Sequence, residues 1–204
     1  MRDELKHWLI EQYLLPALDL TVKNNTDVLA ELYQSIKLLR VVKYQVLETP
    51  EDEGRLWLPI DAMVHAYHYC EVGQCPQGIR IWRKLELILQ PASLFGQQPL
   101  TDYIETLEGG RVLSIGYPVL RKLMAGCPPL FGALLKAGIA NERYYHQQSK
   151  LLQMSNSARL LVLKKEIPLF IRIACQRLVA MHTGMPLRTY CDQLKKMNRK
   201  KKPA

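Results

Sequence analysis

Several features that would point directly to a chemistry are missing from this chain. No uncharged apolar run approaches the ~20 residues that a membrane span requires. The first twenty residues interrupt their leucines with Arg2, Asp3, Glu4, Lys6 and Glu11. A secretory leader needs an unbroken apolar centre and a small-residue cleavage site, so the expectation is a cytoplasmic protein with no membrane partner. Cysteine is sparse: Cys70, Cys75, Cys127, Cys175 and Cys191 are odd in number and irregular in spacing, unlike the framework of a disulfide-stapled secreted domain. Cys70 and Cys75, with His65 and His68 just upstream, make one close couple. Zinc sites pair two such couples, so ordinary cysteines and no metal are expected. The chain also lacks a Gly-x-Ser-x-Gly elbow, a Walker loop and paired-carboxylate spacing, and its histidines (His7, His65, His68, His146, His182) are scattered. Neither an enzyme nor a cofactor is expected.

What is present is a globular composition with an uneven charge. The 204 residues are 48% hydrophobic and 23% charged, enough for a packed core and too apolar for wholesale disorder. The net charge of +9 is concentrated at the end, where Lys195, Lys196, Arg199, Lys200, Lys201 and Lys202 follow one another without an acidic residue between them. Such a block attracts phosphate whatever the fold, although a solvated tail has the same composition.

Texture changes twice along the chain. From Asp3 to about Leu39, apolar residues recur at three and four (Leu5, Trp8, Leu9, Tyr13, then Leu29, Leu32, Tyr33, Ile36), the period of amphipathic helices. Pro16 and the stretch from Lys23 to Thr26 break them, with Thr26 a plausible N-cap. From Leu39 to Tyr117 short strand-like segments alternate with turn signals: Val41–Leu47, Arg55–Ile60, Met63–Tyr69, Ile79–Trp82, Tyr103–Leu107 and Val112–Ile115. Many short strands at even spacing predict an antiparallel sandwich or barrel. After Pro128-Pro129 a helix of more than twenty residues begins, longer than a small sandwich needs for cover, and its apolar stripe predicts self-association. A short helix over Phe170–Met181, a break at Thr183-Gly184 and a helix opened by Pro186 then form a helix-turn-helix pattern that runs into the basic block.

The order of helix, β-roll, long helix and helix-turn-helix resembles the Crp/Fnr transcription regulators, notably their short Bacteroidetes-type members. The match rests on Val42-Lys43-Tyr44-Gln45-Val46-Leu47, on the strand and turn from Arg55 to Ala62, on the stretch from Ser93 to Glu108, and on Arg143-Tyr144-Tyr145 through Ser155. The resemblance implies an α+β fold: an antiparallel β-roll like the cyclic-nucleotide-binding domain, with flanking helices, over residues 1–125. A dimerisation helix over 126–157 and a DNA-binding-like helix-turn-helix over 158–204 would follow. It further implies a homodimer that binds DNA and whose β-roll senses an effector.

In the family the nucleotide phosphate is held by a Gly-Glu-Leu-Gly-type turn and an Arg-Ser pair. Here Leu89-Gln90-Pro91-Ala92 and Leu100-Thr101 stand at those places. Glycine is lost where backbone must approach, proline deletes a donor, and leucine replaces the fixed positive charge. A cyclic nucleotide is therefore not expected. Gln90, Gln97, Gln98, Thr101 and Tyr103 leave open both a neutral, weakly polar small-molecule effector and a filled core. Arg80 and Arg83 could supply a charge from a neighbouring strand, although a solvated face is the usual fate of such residues. In the helix-turn-helix, Arg188, Thr189, Asp192 and Gln193 keep the capacity to reach base edges, while Leu187, Tyr190 and Cys191 do not. Gln176 and Arg177 would lie over the backbone, with Lys195, Lys196 and Arg199 on phosphates. The expected function is a DNA-binding transcription regulator. The alternative is a degenerate member acting as a protein-interaction module, which gains if Leu187 and Tyr190 share the reading face and Arg188 is ion-paired.

Overall fold

A computed structural model describes residues 2–21, 26–70 and 75–199. The chain divides into two compact units, Met1–Val64 with Trp82–Glu142, and His65–Ile81 with Arg143–Ala204.

The first unit opens with α1 (Arg2–Leu9), whose acidic first turn and basic last turn suit the helix dipole. The helix does not stop at Pro16. A π-helical turn over Ile10–Leu14 carries it into α2 (Leu15–Ala17), where Pro16 occupies a first-turn position that needs no N–H. The break comes after Leu18, at Asp19, which takes a left-handed φ of 53°. Helix α3 (Thr26–Ser35) follows.

Strand β1 (Lys37–Val41) begins where helical spacing was expected to continue, because pairing with a distant strand overrides a local apolar period. The expected strand Val41–Leu47 is interrupted by a turn. Tyr44 adopts φ 61°, Val42 N–H donates to Gln45 Oε1 at 3.0 Å, and Thr106 Oγ1 donates to the Val42 carbonyl at 2.6 Å. Only then does β2 (Val46–Glu48) start, pairing antiparallel with β6 (Tyr103–Thr106) across a bulge.

Strands β1, β7 (Gly110–Gly116) and β3 (Arg55–Pro59) form an antiparallel sheet in that spatial order, with Leu38 opposite Leu113 and Leu58 opposite Leu113 on the other side. Leu56, Leu58, Leu113 and Ile115 meet Leu9, Ile10, Leu14, Leu32 and Ile36 of the helices in one apolar core. Asp61, in the turn after β3, accepts from the Arg111 backbone N–H and pairs with its guanidinium at 2.6 Å, tying that turn to β7. Helices α4 (Pro91–Gly96), α5 (Tyr117–Gly126) and the long α6 (Pro128–Leu152) complete the unit, with α6 continuing beyond it from Arg143.

The second unit contains β4 (Val64–Tyr69) from His65 onward and its neighbour β5 (Pro76–Trp82), closed at one end by Cys70 N–H on the Cys75 carbonyl at 3.0 Å. Three helices precede the last one: α7 (Asn156–Glu166), α8 (Pro168–Ile173) and α9 (Gln176–His182). The expected single helix Phe170–Met181 is thus two, because Ala174 and Cys175 are extended, and the Cys175 carbonyl starts α9 by accepting from Leu178 and Val179. The last helix, α10 (Leu187–Arg199), begins one residue after Pro186.

One group in the first unit is costly. Glu48 is 1% exposed, and among the described residues neither its carboxylate oxygens nor the Trp57 indole N–H has a hydrogen-bond partner. Burial pushes its carboxyl up to about 7 from 4.5, with Asp52 adding repulsion. The folded state therefore holds a proton that the unfolded chain releases, so stability is full below the unfolded value and falls as pH rises to the folded one. Urea unfolding of the wild type should lose about 3 kcal/mol between pH 4.5 and 7 relative to Glu48→Gln, whose profile stays flatter over that window.

Candidate nucleic-acid interface

The connection between α9 and α10 is made by backbone geometry that only a few residues permit. Gly184 takes a left-handed φ of 62°. Its N–H donates to the Met181 carbonyl at 3.2 Å, and Met185 N–H donates to the Ala180 carbonyl at 2.9 Å, the paired bonds of a Schellman turn. A Cβ on Gly184 would come within 2.7 Å of Leu152 Cδ2. Thr183 Oγ1 donates back to the Val179 carbonyl at 2.8 Å. The carbonyls left at the helix end find side chains: Gln148 Nε2 donates to His182 O at 2.9 Å, and Arg159 Nη1 to Thr183 O at 3.1 Å. Met185, the residue before Pro186, is buried and closes this turn with an apolar side chain.

Helix α10 buries one side and exposes the other. Tyr190 is 3% exposed, while Arg188, Asp192, Lys195 and Lys196 are exposed and Thr189 and Gln193 half-buried. At about 100° per residue these six fall within an arc of about 160°. Leu187 and Tyr190 lie outside that arc, although Leu187 is solvent-exposed. Among the described residues Arg188 forms no ion pair. Gln176 and Arg177 are exposed at the start of α9, and Gln176 Oε1 accepts from Cys191 Sγ at 3.4 Å, so α9 and α10 touch there. Arg199 is the last residue of α10, and its side chain, like Lys200, Lys201 and Lys202, lies outside the described residues.

The positions matched to the phosphate cradle are split between interior and surface. Leu89, Gln90 and Leu100 are buried. Pro91 opens α4 as its first-turn proline, and Ala92, Gln97, Gln98 and Thr101 are exposed, with Tyr103 half-buried. The Gln90 side chain spans the gap between the two cradle segments, accepting from Thr101 N–H at 3.3 Å and donating to Asp102 O at 3.5 Å. Its backbone N–H donates to the Tyr117 hydroxyl at 2.7 Å, and Asn141 Nδ2 donates to Leu89 O at 2.8 Å. Arg121 of α5 reaches the same helix, but its guanidinium donates to the Ser93 and Leu94 carbonyls at 2.8 and 3.0 Å. Arg80 departs from the solvated face expected of it: it is buried, with its guanidinium 5.0 Å from the Tyr144 ring centre. Arg83 is exposed.

Sequence reasoning missed Arg159, Gln148, Arg121 and Asn141. Each binds backbone carbonyls brought near only by folding, and no spacing announces such a partner. No three His, Cys, Asp or Glu side chains converge on a common point among the described residues. No described helix is long and apolar enough to cross a membrane.

No family model matches the sequence, and no curated protein matches it. Solved structures do match. A Eubacterium rectale protein assigned to the Crp/Fnr transcriptional regulators aligns at TM-score 0.75 and 12% identity, over 86% of this chain and 84% of its own. FixK2 from Bradyrhizobium japonicum aligns at TM-score 0.67 and 14% identity, covering 81% and 85%. CLP from Xanthomonas campestris, described as a c-di-GMP-responsive global regulator, aligns at TM-score 0.67 and 16% identity, covering 86% and 92%. The fold is that of the Crp/Fnr regulators: mixed helix and antiparallel sheet, with the cyclic-nucleotide-binding-like arrangement expected from the sequence.

The turn carries a direct test. Gly184→Ala should lower the unfolding free energy by roughly 1–2 kcal/mol, with Gly184→Asn losing less because asparagine tolerates positive φ. Parallel urea titrations of the three proteins give the ranking.

Proposed function

We propose that the protein is a cytoplasmic, homodimeric, DNA-binding transcription regulator that takes no cyclic nucleotide. The carrying observation is the face of α10. Four exposed polar or charged side chains and two half-buried ones occupy one arc, opposite a buried Tyr190, on the second helix of a tight helix-turn-helix. Arg188 and Gln193 have the bidentate donors and acceptors that discriminate bases in a major groove. Thr189 and Asp192 flank them, with Lys195, Lys196, Arg199 and Arg177 on phosphates and Gln176 beside the backbone.

The dimer reading rests on α6. Phe131, Leu135 and Ile139 recur every fourth residue and are 43–46% exposed, an apolar stripe that a second copy of the helix would cover. In this reading residues 1–125 form the sensing roll, 126–157 the dimer helix and 158–204 the DNA-binding part. Two copies would place their α10 helices one DNA turn apart, about 34 Å, on a palindromic site. Loss of the nucleotide follows from charge. The cradle has leucine where the fixed cation would be, and Gln90 already bridges it. An anion buried there would lack a partner at a cost of several kcal/mol.

Titration against random-sequence DNA at several salt concentrations, followed by selection of bound sites, tests the reading. A palindrome should be enriched, and Arg188→Ala should abolish the enrichment while retaining binding. Neutralising Lys195 and Lys196 to Gln should reduce the slope of log affinity against log salt by about 2 for every sequence. Leu135→Glu should convert the dimer to monomer in sedimentation. Absence of binding at low salt would transfer the assignment to a protein-interaction module.

A further inference from the structure

Helix α9 ends on a histidine that water does not reach. His182 is 1% exposed, and its Nε2 lies 3.1 Å from Nδ1 of His65 on β4, itself fully buried. The rings packed against the pair are aromatic, and from α7 the Arg159 guanidinium holds the neighbouring Thr183 carbonyl. Phe170 of α8 meets the His182 ring edge-on at 5.2 Å, and Tyr67 of β4 stacks on His65 at 5.6 Å. From α6, Gln148 holds the His182 carbonyl. From β5, Gly78 leaves the ring its room: a Cβ there would come within 2.5 Å of His182 Cγ. The charged side chain of β5, Arg80, lies over Tyr144, and Arg172 of α8 is exposed.

Two imidazoles joined nitrogen to nitrogen need one N–H and one lone pair between them. The bond survives only while one ring is neutral at the shared position. His182 has no second outlet, because its Nδ1 has no hydrogen-bond partner. A charged His182 would bury an N–H with no acceptor beside another imidazole. Burial, and then the neighbouring His65, hold its basicity well below the ordinary histidine value.

We propose that the β4–β5 hairpin is a proton-released clasp on α9, closed at neutral pH through the His65–His182 bond and opened by acidification. The direction follows from linkage. The closed state refuses a proton that the opened state accepts near pH 6.5, so the clasp is at full strength above that value and weakens as pH falls below it. Its physiological input is the proton, reaching the helix-turn-helix without passing through the cradle at Leu89-Gln90-Pro91-Ala92. The clasp itself does not depend on DNA binding, and only the consequence of opening rests on that reading.

Backbone hydrogen exchange of α9 in the full chain, without DNA, reports the clasp, since a seven-residue helix does not persist unpacked. Protection of Val179–His182, corrected for intrinsic rates, should fall about tenfold between pH 7.5 and 5.5, while β7 keeps its protection. His182→Leu should flatten that dependence. On the unaltered protein, the His182 ring-carbon resonance should begin to titrate only together with the loss of α9 protection, whatever the variant does to folding. Unchanged α9 protection at pH 5.5 overturns the proposal, as does an equal fall in a folded His182→Leu. Titration of His182 near 6.5 while α9 stays protected overturns it too. Because no DNA is present, any of these outcomes leaves the DNA-binding reading standing.

Discussion

Between Gly110 and Gly116, strand β7 has a partner along each edge, β1 on one side and β3 on the other. A strand paired twice fixes two registers at once, and a slip by one residue would turn Leu113 and Ile115 out of the core and bring the Ser114 hydroxyl in. Two local devices hold that register. Asp61 grips both the backbone and the side chain of Arg111. Gly110 admits the carboxylate, since a Cβ there would come within 2.5 Å of Asp61 Oδ1. The helices before β1 then have a defined apolar surface to cover, which is why Leu9, Ile10 and Leu14 are sealed although their helix is interrupted by a π turn.

In the second unit the equivalent constraint is the end of α9. A short helix leaves several carbonyls unsatisfied; here the turn's own backbone takes two, and the carbonyls of His182 and Thr183 find Gln148 from α6 and Arg159 from α7. These bonds fix the turn whose positive φ belongs to Gly184, and the turn fixes which face of α10 looks outward. The polar arc of α10 is therefore a consequence of carbonyl satisfaction two helices away. That dependence also explains why a buried imidazole at the same point is well placed to change the state of the helix pair.

The region that the resemblance aligns with a phosphate cradle is packed and bonded within itself. Leu89 and Leu100 are buried there, and the Gln90 amide occupies the hydrogen-bonding groups between the two segments. Arginine is nearby in Arg121, but two of its N–H groups are turned to the Ser93 and Leu94 carbonyls of α4. Charge proximity alone does not make an anion site when the guanidinium is held by backbone carbonyls.

Much of this was legible in the residues themselves. Helical and strand periods, Pro128, the break at Thr183-Gly184 and Pro186 together specified the class of fold and the helix-turn-helix. These signals are local, or depend on which atoms a residue type lacks. Tertiary structure decided what depends on partners distant in sequence. It turned Lys37–Leu39 from helix to strand, divided Phe170–Met181 into two helices, and buried Arg80 against Tyr144. It placed Glu48 in the interior, and it brought His65 and His182, 117 positions apart, to 3.1 Å. A sequence records the capacity of a side chain to donate, accept or carry charge, but only packing decides whether water or another residue answers it.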